Sequence, residues 1–157
     1  MFSPIVQVNV GDGLIMSKKD TPESLRILVV EDHEVFRKQV CALLKTQPGF
    51  EVVSEAENGV EGVRYAEELQ PDVVVLDISM PSLGGIEAAV RIRRVAPQSQ
   101  IVFLSQHNSE SVAQAALATG ARAFVAKSYT STDLIPAIQA VSDGKKFVSK
   151  LTRRVRD

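Results

Sequence analysis

From Leu25 onward the chain repeats one pattern, a short apolar run followed by a longer stretch in which apolar positions recur every three or four residues. The runs Leu25–Val30, Val52–Ala56, Val73–Leu76, Ile101–Leu104 and Ala123–Ala126 predict five strands. Stretches such as Val73, Val74 and Val75 leave no polar face, which suits strands covered by helices on both sides. The second run is more polar and predicts a place near a sheet edge. Between the runs, Phe36, Val40, Leu43 and Leu44 lie at helical spacing, and Gln47, Pro48 and Gly49 supply the stop. Helices are likewise expected over Val60–Leu69, Ile86–Val95, around Val112–Leu117 and over Thr130–Val141, closed by Pro71, Pro97, Gly120 and Gly144. Pro136 inside the last of these leaves room for a kink or a start nearer Leu134.

Strands alternating with helices predict an α/β fold: a five-stranded parallel sheet in the order 2-1-3-4-5, with five helices distributed over both faces in the flavodoxin-like manner. Such a sheet binds ligands beyond the carboxyl ends of the strands beside the point where the order reverses, here the first and third. The first strand runs into Glu31 and Asp32, and the third into Asp77. Adjacent strands lie about 4.8 Å apart, so the carboxylates converge, and their mutual repulsion calls for a cation. A hard divalent ion with oxygen ligands, Mg²⁺ above all, meets that need. The fourth strand ends in Ser105 and the fifth in Lys127, which bring a hydroxyl and an ammonium to the same edge. Together the set suits phosphoryl transfer to an aspartate.

Composition narrows the setting. A chain of 157 residues, 24% charged with a net charge of −1, is one ordinary globular domain rather than a disordered acidic or strongly basic chain. A lone cysteine, Cys41, forms no internal disulfide, and the first residues lack the cationic start of a secretory signal, so a reducing, cytoplasmic compartment is expected. No apolar run approaches the roughly 18 residues of a membrane span. Residues 1–24, with Pro4, Gly11, Gly13 and Pro22, read as a flexible leader. Within them Ile5–Val10 has a short edge-strand alternation, and Met16 offers an alternative start.

The segments LVVEDH, VVLDISMPSLGG, VFLSQH and AFVAKS, in this order and spacing, resemble the receiver domain of bacterial two-component response regulators. The resemblance covers residues 25–149, and DHEVFRKQVCALL with GKKFVS is most similar to the NarL/FixJ subgroup, which commonly carries a LuxR-type helix-turn-helix. It implies a CheY-like fold, a phosphoacceptor at Asp77, and Mg²⁺ held by Asp32, by Asp77, by Glu31 through water and by the backbone carbonyl of Ser79. Ser105 then matches the switch hydroxyl, Lys127 the phosphate-contacting lysine and Phe124 the aromatic switch, while Ser79 and His107 flank the path of hydrolytic water and tune the phosphoryl lifetime. Glu31 replaces the commoner aspartate and Ser105 the commoner threonine, departures that bear on rates. The implied partners are a sensor histidine kinase or phosphotransfer protein, and a downstream protein or C-terminal output domain, with self-association as a further mode. The implied readout surface is the fourth helix, fifth strand and fifth helix.

Plainer readings exist for each residue. Glu31 and Asp32 suit a helix start, Asp77 a loop cap, Lys127 a solvated strand end and Ser105 a turn. Their convergence on one edge favours the site. His33 and His107 read as rim residues, and Cys41 as a small buried apolar group. Residues 150–157 form a basic tail or the start of a linker, which reads as solvated chain without direct DNA binding. Two other functions are weighed. An aspartate-nucleophile phosphohydrolase would place a second acid where Ser79 stands, and a phosphorylation-independent interaction module would not require the complete polar set.

Overall fold

The computed structural model describes residues 24–152. Residues 1–23 of the leader, its edge-strand segment Ile5–Val10 among them, and residues 153–157 lie outside the described residues. Twelve elements follow in order: β1 (Leu25–Val30), α1 (Glu34–Lys45), β2 (Phe50–Ala56), α2 (Gly59–Leu69), β3 (Val73–Asp77), α3 (Gly85–Val95), β4 (Gln100–Ser105), α4 (Glu110–Leu117), β5 (Ala123–Ala126), a single 3-10 turn (Lys127–Tyr129), α5 (Thr130–Ser142) and β6 (Phe147–Val148). All strand pairs are parallel, in the order β2-β1-β3-β4-β5-β6.

Side chains alternate across each strand, and the alternation sorts the core into two layers. Leu28, Val30, Val74, Leu76, Ile101, Phe103 and Phe124 pack with Ala66 of α2, Ala88, Ala89 and Ile92 of α3, and Ala113 and Ala116 of α4. Ile27, Val29, Val73, Val75, Val102, Leu104 and Val125 pack on the other face with Val40 and Leu44 of α1 and Leu134, Ile138 and Val141 of α5. The central β3 is buried along its whole length, whereas β2 at the edge is only partly covered, as its polar sequence predicts. At about 25 cal/mol per Å² of apolar surface, burying both layers is the main stabilisation of the fold.

One detail differs from expectation. The sheet has six strands rather than five: Phe147 N donates to Arg122 O (3.0 Å) and Ser149 N to Phe124 O (2.9 Å), so β6 covers the edge of β5. A strand of two residues has no period to read. The last helix starts at Thr130, as its periodicity predicts, and continues through Pro136 to Ser142. Gly120 and Gly144 hold φ of +100° and +78°, the left-handed conformation that glycine enters without steric cost, and so end α4 and α5.

Candidate functional site

Continuing the alternation past the strand ends sets the layout of the carboxyl edge. Glu31 follows Val29, and Asp77 follows Val75, so both carboxylates fall on the α1/α5 side of the sheet. Ser105 follows Phe103 and falls on the α3/α4 side together with Phe124. The two groups of residues are therefore neighbours across the sheet plane rather than members of one cluster.

Glu31 and Asp77 are each 1% exposed, while Asp32 is open to solvent. One carboxylate oxygen from each of the three lies within 4.8 Å of the others. Lys127, delivered by the turn after β5, places Nζ 3.2 Å from Asp77 Oδ1 and 2.9 Å from Glu31 Oε1. The second contact is an ion pair without hydrogen-bond alignment, since Glu31 Oε1 has no aligned donor among the described residues. Backbone amides hold the carboxylates from below: His33 N donates to Glu31 Oε2 (3.0 Å), and Ser79 N to Asp77 Oδ1 (3.3 Å). Gly85 is required here, because a Cβ at that position would lie 2.1 Å from the carbonyl oxygen of Asp77.

Burial pushes the Asp77 carboxyl up from its ordinary 3.8 to about 7, and the charge of Glu31 adds to the rise; Lys127 and the Ser79 amide oppose it. Three ionised carboxylates against one ammonium leave a formal charge of −2 in this small region. A divalent cation balances that sum. The all-oxygen donor set and the unaligned Glu31 Oε1 fit a hard ion such as Mg²⁺. The residues open onto a cavity of about 680 Å³, also lined by His33, Phe36, Ser79 and Gln106.

Three supporting residues were not anticipated as parts of the site. The Phe36 ring lies 4.8 Å from Lys127 Nζ, a cation–π contact that helps hold the ammonium. Arg37 is buried and donates to the Glu31 carbonyl (2.9 Å) and to Glu55 Oε1 (3.0 Å), fixing the β1–α1 corner against β2. Gln106, directly after Ser105, lines the cavity. Phe36 and Arg37 sit on the helical stripe of α1, where a sequence pattern registers only core positions.

The chain matches the family model described as the response regulator receiver domain over residues 27–139. The chain belongs to this family. It is similar to the transcriptional regulatory protein LiaR of Bacillus subtilis, 36% identical over 132 residues that span 83% of this chain and 63% of LiaR. It is also similar to DegU of Brevibacillus brevis, 32% identical over 85% of this chain and 56% of DegU. The chain thus spans 56% and 63% of the length of these two relatives. Among solved structures, a LuxR-family two-component response regulator from an Aurantimonas species matches at 35% identity with a TM-score of 0.77, covering 81% of this chain and 91% of that one. The receiver domain of the putative response regulator NarL from Mycobacterium tuberculosis matches at 30% identity with a TM-score of 0.75, covering 79% and 100% of the two chains.

Within this receiver domain the residues named from sequence fall into two groups. Glu31, Asp32, Asp77, Ser79 and Lys127 line the cavity. Ser105, His107 and Phe124 do not. The Ser105 hydroxyl donates to His107 O (2.7 Å) and accepts from His107 N (3.0 Å), so it faces its own loop, and Phe124 is fully buried. His33 caps α1, its Nδ1 accepting from Phe36 N (3.3 Å). Among the described residues no helix is long and apolar enough to cross a membrane.

Proposed function

We propose that this chain is the phosphorylation-controlled switch of a two-component response regulator, with Asp77 as phosphoacceptor. The observation that carries the reading is the placing of Lys127 within 3.2 Å of the Asp77 carboxylate, beside two further acids, at the carboxyl edge of a receiver fold. Asp77 attacks phosphorus with a carboxylate oxygen. The bond from phosphorus to the donor breaks as the new P–O bond forms, and the donor, a histidine of a sensor kinase or phosphotransfer protein, leaves with the bonding electron pair. Asp32, Asp77, Glu31 and the Ser79 carbonyl would hold Mg²⁺, which supplies neutralisation of charge on the phosphoryl oxygens.

Lys127 releases its hold on Asp77 Oδ1 and pairs with the phosphoryl group. Ser105 turns its hydroxyl from His107 O to a phosphoryl oxygen, and Phe124, on the same side of the sheet, follows into the space left behind. The surface of α4, β5 and α5 changes as a result and controls a partner, an output domain or self-association. Ser79, which lines the cavity, and His107, two residues after Ser105 and outside the cavity in this state, tune the lifetime of the acyl phosphate. Relatives named as transcriptional regulators, of which this chain spans 56% and 63%, support an output in transcription.

Incubation with Mg²⁺ and a small acyl phosphate should add one phosphoryl mass to the intact protein and none to Asp77→Asn. An equal gain in both proteins would overturn the assignment. Partner binding indifferent to Asp77→Asn and to beryllofluoride would point instead to an interaction module that ignores phosphorylation.

A further inference from the structure

The segment after α5 is tied down at two separate places. Its near anchor is Ser149, which is buried. The Ser149 amide donates to Phe124 O (2.9 Å), and its hydroxyl donates to Asp133 Oδ2 (2.6 Å) while accepting from Ala126 N (3.1 Å). The far anchor is the β4–α4 loop. Thr152 N donates to Asn108 O (2.9 Å), Thr152 Oγ1 to Asn108 Oδ1 (2.6 Å), and Asn108 Nδ2 to Lys150 O (3.2 Å), with Thr152 also bridged to Ser109. Between the anchors, Leu151 packs on the core layer that contains Ala113, Ala116 and Phe124.

The near anchor touches β5 and α5 alone. The far one depends on a loop whose conformation is held by Ser105, through the paired hydrogen bonds to His107 immediately before Asn108. A serine hydroxyl has one proton. It cannot donate to His107 O and to a phosphoryl oxygen on Asp77 at once, so engaging the phosphoryl group removes the bond that shapes the loop.

We propose that residues 147–152 form a strap whose far half, 150–152, is latched to Asn108 in the unphosphorylated protein and unlatched by phosphorylation of Asp77. The near half stays in the sheet as β6, and release uncovers the apolar ground beneath Leu151. This inference rests on the phosphoacceptor reading and adds to it a specific moving segment. It also gives Ser105 a mechanical role, since the hydroxyl that senses the phosphoryl group is the one that holds the latch.

Amide hydrogen exchange on the full chain, read residue by residue by NMR in Mg²⁺ with and without beryllofluoride, tests it. With beryllofluoride, the Thr152 amide should exchange roughly tenfold faster while the Ser149 amide keeps its protection. Asn108→Ala should produce the same acceleration at Thr152 without beryllofluoride, again sparing Ser149, and should tighten beryllofluoride binding, because the latch no longer has to be broken on binding. If the Asp77 and Lys127 amides shift on adding beryllofluoride but Thr152 stays protected, the strap is overturned and the phosphoacceptor reading stands. An Asn108→Ala variant with unaltered Thr152 exchange also overturns it. No shift at Asp77 or Lys127 would overturn the phosphoacceptor reading and the proposed trigger together.

Discussion

Lys127 Nζ stands 3.2 Å from Asp77 Oδ1, and the same ammonium lies 2.9 Å from Glu31 Oε1. One cation therefore serves two buried carboxylates, with Asp32 as a third acid within 4.8 Å. Burial, with the under-compensated charge of Glu31 adding to it, makes Asp77 costly to ionise, and this has measurable consequences.

Stability in the absence of divalent ions should fall as pH rises. The folded-state pKa of Asp77, about 7, lies above its ordinary 3.8, so folding favours the protonated carboxyl. That contribution is fully present below the unfolded value and is lost as pH rises through the folded one. In EDTA at pH 8, Asp77→Asn should be more stable than the parent protein, on the order of a few kcal/mol by urea unfolding. The difference should shrink toward pH 4, and Mg²⁺ should stabilise the parent more than the variant. Equal unfolding midpoints at pH 8 would contradict this account of the pocket.

Arg37 is the buried cation of the β1–α1 corner, with one contact to the Glu31 carbonyl and another to Glu55. Its loss leaves a buried carbonyl unpaired and leaves Glu55 to Lys38 alone. Arg37→Ala should cost about 2–4 kcal/mol in chemical denaturation. Lysine should recover little, because an ammonium does not match both branches of the guanidinium fork. A loss below about 0.5 kcal/mol would show that the corner is held by packing alone.

At Gly85 the start of α3 touches the backbone of Asp77. An added Cβ would lie 2.1 Å from the Asp77 carbonyl oxygen and 2.6 Å from the Ile78 Cα, both of them backbone atoms without rotamer freedom. Gly85→Ala should destabilise by roughly 1–3 kcal/mol and slow phosphorylation by acyl phosphate, because relief of the clash must move the end of β3 or α3. Wild-type stability together with a wild-type phosphorylation rate would refute this.

Cys41 sits in the α1 layer, where burial, with the nearby charge of Glu55 adding, pushes its thiol up to about 11. The thiolate is the reactive form. At pH 8 the folded protein should react with a disulfide reagent only as fast as it opens, and denaturant should restore full reactivity. Rapid labelling of the native state would show that α1 is looser than its packing implies.

Much of this architecture was legible along the chain. Five apolar runs at regular intervals dictate strands, Gly120 and Gly144 dictate helix ends, and the parallel topology sends every strand terminus to one edge, so Glu31, Asp32, Asp77 and Lys127 had to meet. These follow from local propensity and period, which neighbouring residues carry among themselves. The side of the sheet taken by each edge residue depends on strand alternation counted from the packed core, which places Ser105 and Phe124 across the plane from Asp77.

Other features depend on pairs distant in sequence. Arg37 meets Glu55 and Asn108 meets Thr152 across separations of 18 and 44 residues, and neither pair has a repeating pattern that could announce it. Hydrogen bonds and ion pairs of this kind form only after hydrophobic burial has brought their partners together. The apolar rhythm of the chain thus determined the sheet and its acidic edge, while packing alone decided which acids Lys127 joins, which way Ser105 faces and where the C-terminal segment is fastened.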